Sequence, residues 1–190
     1  MIDILALQKL LPATLPRPAS NNQRAYADLI EEEACKLAKT AHPAEFREAQ
    51  SVRSIDDFTI AHHGHWYRID VKTRQLTADF NMPNLISVDR LNLLLDRPDH
   101  SLYYWFIDYS VDDNHMARID HSWIRPVWDL PWSALSIQNL GLGQLQISDW
   151  SEFNQSSNLT RQQWHAELQL RMREFYVRQS KKFLRLAESV

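Results

Sequence analysis

A single cysteine, Cys35, stands in the 190 residues. No internal disulfide and no thiolate metal cage can form from it, so a reducing compartment fits and any metal chemistry falls to oxygen and imidazole ligands. Long apolar runs are missing too. Without a stretch of about 18 apolar residues, nothing is expected to span a bilayer. The opening "MIDILALQKLLPATLP" lacks a basic n-region and a small-residue cleavage site, and Asp3 and Lys9 interrupt its apolar stretch. The expectation is a cytoplasmic protein with no membrane partner. An excess of positive charge is absent as well. A net charge of −3 excludes an indiscriminate coat for nucleic acid, because non-specific affinity comes from neutralising phosphates. It does not exclude a specific binder with a locally basic cleft on an acidic body. Positive charge gathers near the C-terminus in "RMREFYVRQSKKFLRL", which taken alone reads as a solvated helix face.

What is present describes an ordinary globular chain. With 44% hydrophobic and 24% charged residues, the composition is neither disordered nor membrane-like, and the length suits one well-packed domain over 1–190. Residues 3–11 show a short apolar helical pattern stopped by the prolines of "PATLPRP". A helix follows, with Ser20 or Asn21 as candidate N-cap, Tyr26, Ile30, Ala34, Leu37 and Ala41 as its apolar face, and Pro43 as its stop. At 100° per residue, Glu33 falls about 60° from Ile30 on the side of Tyr26 and Leu37, which makes it the acid of the Glu triplet nearest the buried face. "DFTIAHHGHWYRIDVKTR" reads as a β-hairpin turning at His62 to His65. "MPNLISVDRLNLLLDRP" predicts a helix from near Asn84 to Pro98. "SLYYWFIDYS" predicts a central strand, "MARIDHSWIRPVWDL" the next one with a proline irregularity, and "LGQLQIS" a half-buried strand. Thr160 with Gln163 forms a capping box ahead of a helix to about residue 187. The fold class expected is α/β, a mixed central sheet flanked by helices, with a helical part over 1–50, a sheet core over 51–150 and a closing helix over 158–190.

The hairpin carries the chemistry. Asp57 and Asp70 lie on adjacent strands, and counting back about equally from the turn brings both to one end of the hairpin. Asp70 and Lys72 share a strand face. Two carboxylates and an ammonium converging at one spot suit a magnesium ion held by Asp57, Asp70 and the main-chain carbonyl of Val71, with water and a phosphate oxygen completing the shell. Such an arrangement hydrolyses a phosphodiester: Lys72 would orient the attacking water and stabilise negative charge in the transition state. On spacing alone, a wet strand face carrying an Asp-Lys pair is the competing reading.

The order of motifs adds a resemblance. "IDVKTR", whose Asp70 is thirteen residues after Asp57, "PNLIS" (Pro83 to Ser87), "NLGLGQLQIS" and "TRQQW" (Thr160 to Trp164) resemble, in that order, the PD-(D/E)xK nuclease signature, and more narrowly the type II restriction endonucleases of the HincII-like family. The resemblance covers roughly residues 55 to 185. It implies a restriction-endonuclease-like fold, a homodimer, magnesium, and cleavage of a short palindromic site in double-stranded DNA. Carried over position by position, Asp57, Asp70 and Lys72 are the catalytic triad, Asn84 contacts DNA and Asn81 reaches it from a loop. Asn139 and Gln144 are further candidates for base contact, since amides pair bidentately with adenine. Thr73 and Arg74 could reach phosphate, and Glu33 could serve as a helix-borne carboxylate beside the metal. The chain is shorter than that family before the hairpin, and Phe80 and Met82 make the loop around Asn81 more apolar.

Three histidines, His62, His63 and His65, invite a zinc reading, but on one tight turn they cannot all point inward. Trp105, Trp123, Trp128 and Trp132 read as core, and Cys35 as a bystander. A structure-specific repair or mobile-element nuclease, and a non-catalytic DNA-binding module on the same sheet, stand as alternatives.

Overall fold

Residues 3–20, 22–49, 51, 54–78 and 84–188 are described in the computed structural model of the chain. Asn81, Phe80 and Met82 lie outside them. The chain divides into two compact units interleaved in sequence, Met1–Asn81 with Pro98–Val127 and Met82–Arg97 with Trp128–Val190. The segments expected at 1–50, 51–150 and 158–190 do not coincide with these units.

In the first unit, a 3-10 turn at Ile4–Lys9 precedes strand β1 (Thr14–Leu15), helix α1 (Gln23–Ala41), β2 (Phe46–Glu48), β3 (Phe58–His62) and β4 (His65–Gln75). The side chain of Asn22 accepts the Ala25 N–H at 2.8 Å and starts α1, one or two residues after the caps expected at Ser20 and Asn21. The buried residues of α1 are Tyr26, Ile30, Ala34 and Ala38. This is a stripe at i, i+4 spacing, and its two alanines let the helix lie close to β4, which it contacts. The β3–β4 turn has His63 at φ 49 and Gly64 at φ 78. Two left-handed residues are what a tight two-residue hairpin requires, and they fix the register His62↔His65 through Phe58↔Ile69.

The sheet order is β1-β7-β6-β4-β3-β2, where β6 is His100–Val111 and β7 is Ala117–Pro126. β4 and β6 are parallel and every other pair is antiparallel, so the mixed sheet expected from the sequence is present, with the aromatic strand β6 inside it. β1 and β2, which have no sequence periodicity to announce them, form its edges. Ile60, Ile69, Val71, Trp105 and Ile107 pack with α1 into one core. By alternation, Asp70, Lys72 and Arg74 of β4 and Tyr104, Phe106 and Asp108 of β6 face the other way.

The second unit has a three-stranded sheet, β5-β9-β8, formed by β5 (Asn84–Ser87), β8 (Leu135–Gln138) and β9 (Gln144–Ile147). It also holds α2 (Val88–Leu95), α3 (Trp150–Phe153) and α4 (Arg161–Glu188). The helix expected to begin near Asn84 therefore begins four residues later, because Leu85 and Ile86 are buried in a strand paired with β9. The capping box of α4 is formed reciprocally: the Thr160 N–H donates to Gln163 Oε1 at 2.9 Å, and the Gln163 N–H donates to Thr160 Oγ1 at 3.3 Å. An added Cβ on Gly143 would meet Phe175 of α4 at 3.0 Å and Val88 at 3.1 Å, so α4 packs directly on this sheet's apolar face. Among the described residues no helix is long and apolar enough to cross a membrane.

Candidate active site

Two aspartates stand side by side ahead of β3, and the structure gives them different work. Asp56 is buried and fully engaged: its carboxylate accepts from Ser54 Oγ at 2.6 Å, Thr59 Oγ1 at 2.5 Å and Arg68 Nη1 at 3.0 Å. Asp57 is half-buried and turned to the other acid. Its N–H donates to the Ile69 carbonyl at 2.9 Å, one residue out of the Phe58↔Ile69 register, so Asp57 and Phe58 both oppose Ile69 as in a β-bulge, and the Asp57 carboxylate meets Asp70 through a side-chain hydrogen bond. Its Oδ2 accepts the Val71 N–H at 2.6 Å. Since the N–H and C=O of one strand residue point to the same side, the Val71 carbonyl shares that edge with Asp57.

Removing Asp56 therefore tests folding and not chemistry. Asp56→Ala leaves the Arg68 guanidinium half-buried without its carboxylate and should destabilise the protein by about 3 kcal/mol, measured by denaturant unfolding. A variant as stable as the parent would refute this division of labour.

Asp70 sits on the buried middle of β4, with Lys72 Nζ 2.7 Å from its Oδ1. Burial pushes its carboxyl up to about 7; Lys72 pulls it down, and Asp57, hydrogen-bonded to it, adds to the rise. On the neighbouring strand the Tyr104 hydroxyl is buried and has no hydrogen-bond partner among the described residues, and burial followed by Asp70 drives its pKa well above the ordinary range.

The acid of α1 that reaches Asp57 is Glu31, not Glu33. Burial, then Asp57 through charge and a hydrogen bond, raises the Glu31 carboxyl to about 7, while Lys72 and Arg24 oppose the rise. Glu33 is instead paired with the exposed Lys36 at 3.1 Å. Leu37 is half-buried and Ala41 exposed, so the buried stripe runs through Ala34 and Ala38. At 100° per residue Glu31 lies about 20° from Ala38 around the helix, whereas Glu33 lies about 140° from it.

Cys35 is on the same helix. Burial, with Asp57 and Glu31 adding to it, drives its thiol up to about 12, which leaves no thiolate to act as a nucleophile near neutral pH.

Glu31, Asp57 and Asp70 thus form a chain of carboxyls ending on one ammonium. Negative charge exceeds positive there, and protons or a cation must make up the difference. All donors are oxygens, the set a hard divalent ion such as magnesium takes, so the residues fit that ion chemically. Among the described residues, however, no three His, Cys, Asp or Glu side chains already stand as a metal-holding group. The carboxyls lean on one another, on the Val71 N–H and on Lys72.

The other expected contacts separate. Arg74 is engaged by Asp108 in a two-pronged pair, Nε to Oδ1 at 2.7 Å and Nη2 to Oδ2, so its guanidinium serves the sheet instead of standing open to phosphate. Thr73 alternates onto the face opposite Lys72. His62 lies 3.7 Å from Glu45 and His65 lies 2.8 Å from Ser101 Oγ, so these histidines of the turn go to different partners. Asn84 and Gln144 sit in the second unit, where the register aligns Ser87 with Gln144 and Gln138, and Asn84 with Gln146 and Ser136. One face of that sheet is therefore lined with amides and hydroxyls, and Gln146 Nε2 donates to Asn84 Oδ1 at 3.2 Å. Gln146, Gln138 and Ser136 are members that sequence reasoning passed over, although the alternation of "QLQI" marks Gln146 on the side of Gln144. Asn139 is exposed in the loop joining β8 and β9.

Compared with solved structures, the chain is similar to the NlaIV restriction endonuclease, with a TM-score of 0.55 and 16% identity over 80% of this chain and 67% of that one. No protein-family model and no curated protein matches it. The likeness gives the chain a restriction-endonuclease-like fold and does not single out the HincII-like family.

Proposed function

We propose that the chain is a magnesium-dependent DNA endonuclease of the restriction type, cutting a short palindromic site as a homodimer. The observation that carries this is the meeting of Asp57, Asp70 and Lys72 at one end of the β3–β4 hairpin, with Glu31 brought to them by α1. The fold shared with a restriction endonuclease and the order of motifs resembling the HincII-like family support it. A palindrome cut on both strands calls for two copies related by a two-fold axis.

Asp57, Asp70 and the Val71 carbonyl would hold the magnesium, which when bound polarises the scissile phosphate and lowers the pKa of water. Lys72, fixed by Asp70, orients the attacking water and offsets charge growing on the phosphate oxygens. Glu31, with a carboxyl raised to about 7, exchanges a proton in the working range. The amide and hydroxyl face of Asn84, Ser136, Gln138, Gln144 and Gln146 offers paired donors and acceptors to base edges.

The test is incubation of plasmid DNA with the protein in magnesium. Discrete fragments are expected. Plasmid left intact in both magnesium and manganese would overturn the reading, and a preference for branched DNA would favour the repair alternative.

A further inference from the structure

The basic stretch near the C-terminus has no part in the site above. Arg171, Arg178 and Arg185 are seven residues apart on α4, so they follow one stripe with steps of about 10.5 Å, and Lys182 lies beside it. Among the described residues Arg178, Lys181, Lys182 and Arg185 have no carboxylate or other side-chain partner, whereas Lys36, Lys39, Arg68, Lys72 and Arg74 each hold an acid. These four unpaired cations, with Leu186, line a cavity of about 370 Å³. Arg178 also lines a second cavity of about 230 Å³ with Trp132, Leu135, Ser136, Ile137, Arg171 and Glu174. In it the buried indole N–H of Trp132 has no acceptor among the described residues, and the Arg171 guanidinium, held by Glu167 at 2.7 Å, lies 4.8 Å over the Trp132 ring.

Unpaired cations and an orphan N–H donor gathered in adjoining depressions call for an anion with several oxygens. Ser136 belongs both to the second cavity and to the amide face of the three-stranded sheet. The basic stripe thus reaches β8, the edge strand of that sheet, whose other face carries the amides.

We infer that this face of α4 grips the phosphate backbone of duplex DNA, with Arg178, Lys182 and Arg185 as its main contacts. The inference rests on the endonuclease reading. It gives the acidic chain a local positive track, while the cations of α1 and β4 named above are spent on their own acids.

The experiment measures binding of a fluorescent 30-base-pair duplex by anisotropy, in calcium in place of magnesium, over a series of salt concentrations. The variant Arg178→Gln/Lys182→Gln/Arg185→Gln is compared with Lys9→Gln/Lys36→Gln/Lys39→Gln, which removes the same charge from exposed positions of the first unit. The α4 variant should bind about 10- to 100-fold more weakly, with the slope of log K against log salt reduced by about 2 to 3. The control variant should match the parent. Equal effects of the two variants, or none from the α4 variant, would overturn the inference and leave the endonuclease reading standing. A parent that binds no duplex would overturn both. Loss of binding to anionic phospholipid vesicles, with duplex binding unchanged, would identify a membrane surface instead and overturn the inference alone.

Discussion

Lys72→Ala should abolish cleavage while sparing DNA binding. Its ammonium is paired with Asp70 at 2.7 Å, and it is the cation on which the carboxyls at the end of the hairpin converge. Without it nothing in that group offsets charge that grows on the phosphate during attack. The loss expected in turnover is on the order of 10³-fold, the size seen when a positioned donor to a developing oxyanion is removed. Folding should survive. Asp70, already pushed up to about 7 by burial, loses the influence that lowered its pKa and takes a proton, so no unpaired buried charge is left behind. The check is a plasmid cleavage time course beside a mobility-shift assay in calcium. Turnover within tenfold of the parent would remove Lys72 from the chemistry. Loss of binding in parallel with cleavage would make it a binding residue. Lys72→Arg should also fail, because a planar fork does not reproduce a compact ammonium on a short reach.

The parts of this site legible in the sequence were those written in local periodicity. The turn residues His63 and Gly64 fix the hairpin register as far as Phe58↔Ile69, so counting brings Asp57 and Asp70 to one end of the hairpin, whereas the slip that gives the Asp57 N–H to the Ile69 carbonyl is not written in that count. Thr160 and Gln163 announce α4 for the same local reason. Partnerships set by distant chain were not legible. Arg74 looks like a phosphate ligand until Asp108, 34 residues on, is seen to hold it. Glu33 looks like the inward acid when large apolar residues define the helix face. The face in contact with β4 is set by Ala34 and Ala38, whose small side chains weigh little in a hydrophobic pattern but permit close approach, and this brings Glu31 inward. Asn84–Ser87 shows the ambiguity of a short apolar run: Leu85 and Ile86 suit a helix start or a strand, and pairing with β9 decides it.

Asp70→Asn should make the metal-free protein more stable at pH 8 and inactive. The ordinary carboxyl value is 3.8 and the folded value is about 7. The folded chain therefore keeps a proton that the unfolded chain releases between about pH 4 and pH 7. Stability from this group is full below the unfolded value and is lost as pH rises through the folded one, because in that window the native state is the one binding more protons. At pH 8 Asp70 is a buried charge that Lys72 compensates in part. Asparagine keeps the shape and drops the charge. It should gain on the order of a few kcal/mol there, since each tenfold change in proton affinity corresponds to about 1.4 kcal/mol and the attraction of Lys72 is already contained in the folded value of about 7. Near pH 4 the two proteins should be alike. Denaturant unfolding in EDTA at the two pH values measures this. Adding magnesium supplies the second half of the test: it should stabilise the parent at pH 8 by binding the folded state, and do so far less for the variant. A variant less stable than the parent at pH 8 would mean that the Lys72 pair outweighs the cost of burying Asp70. If the variant is instead the more stable protein and cannot cut DNA, the carboxylate is held at the hairpin's end at the expense of stability, for the chemistry it performs there.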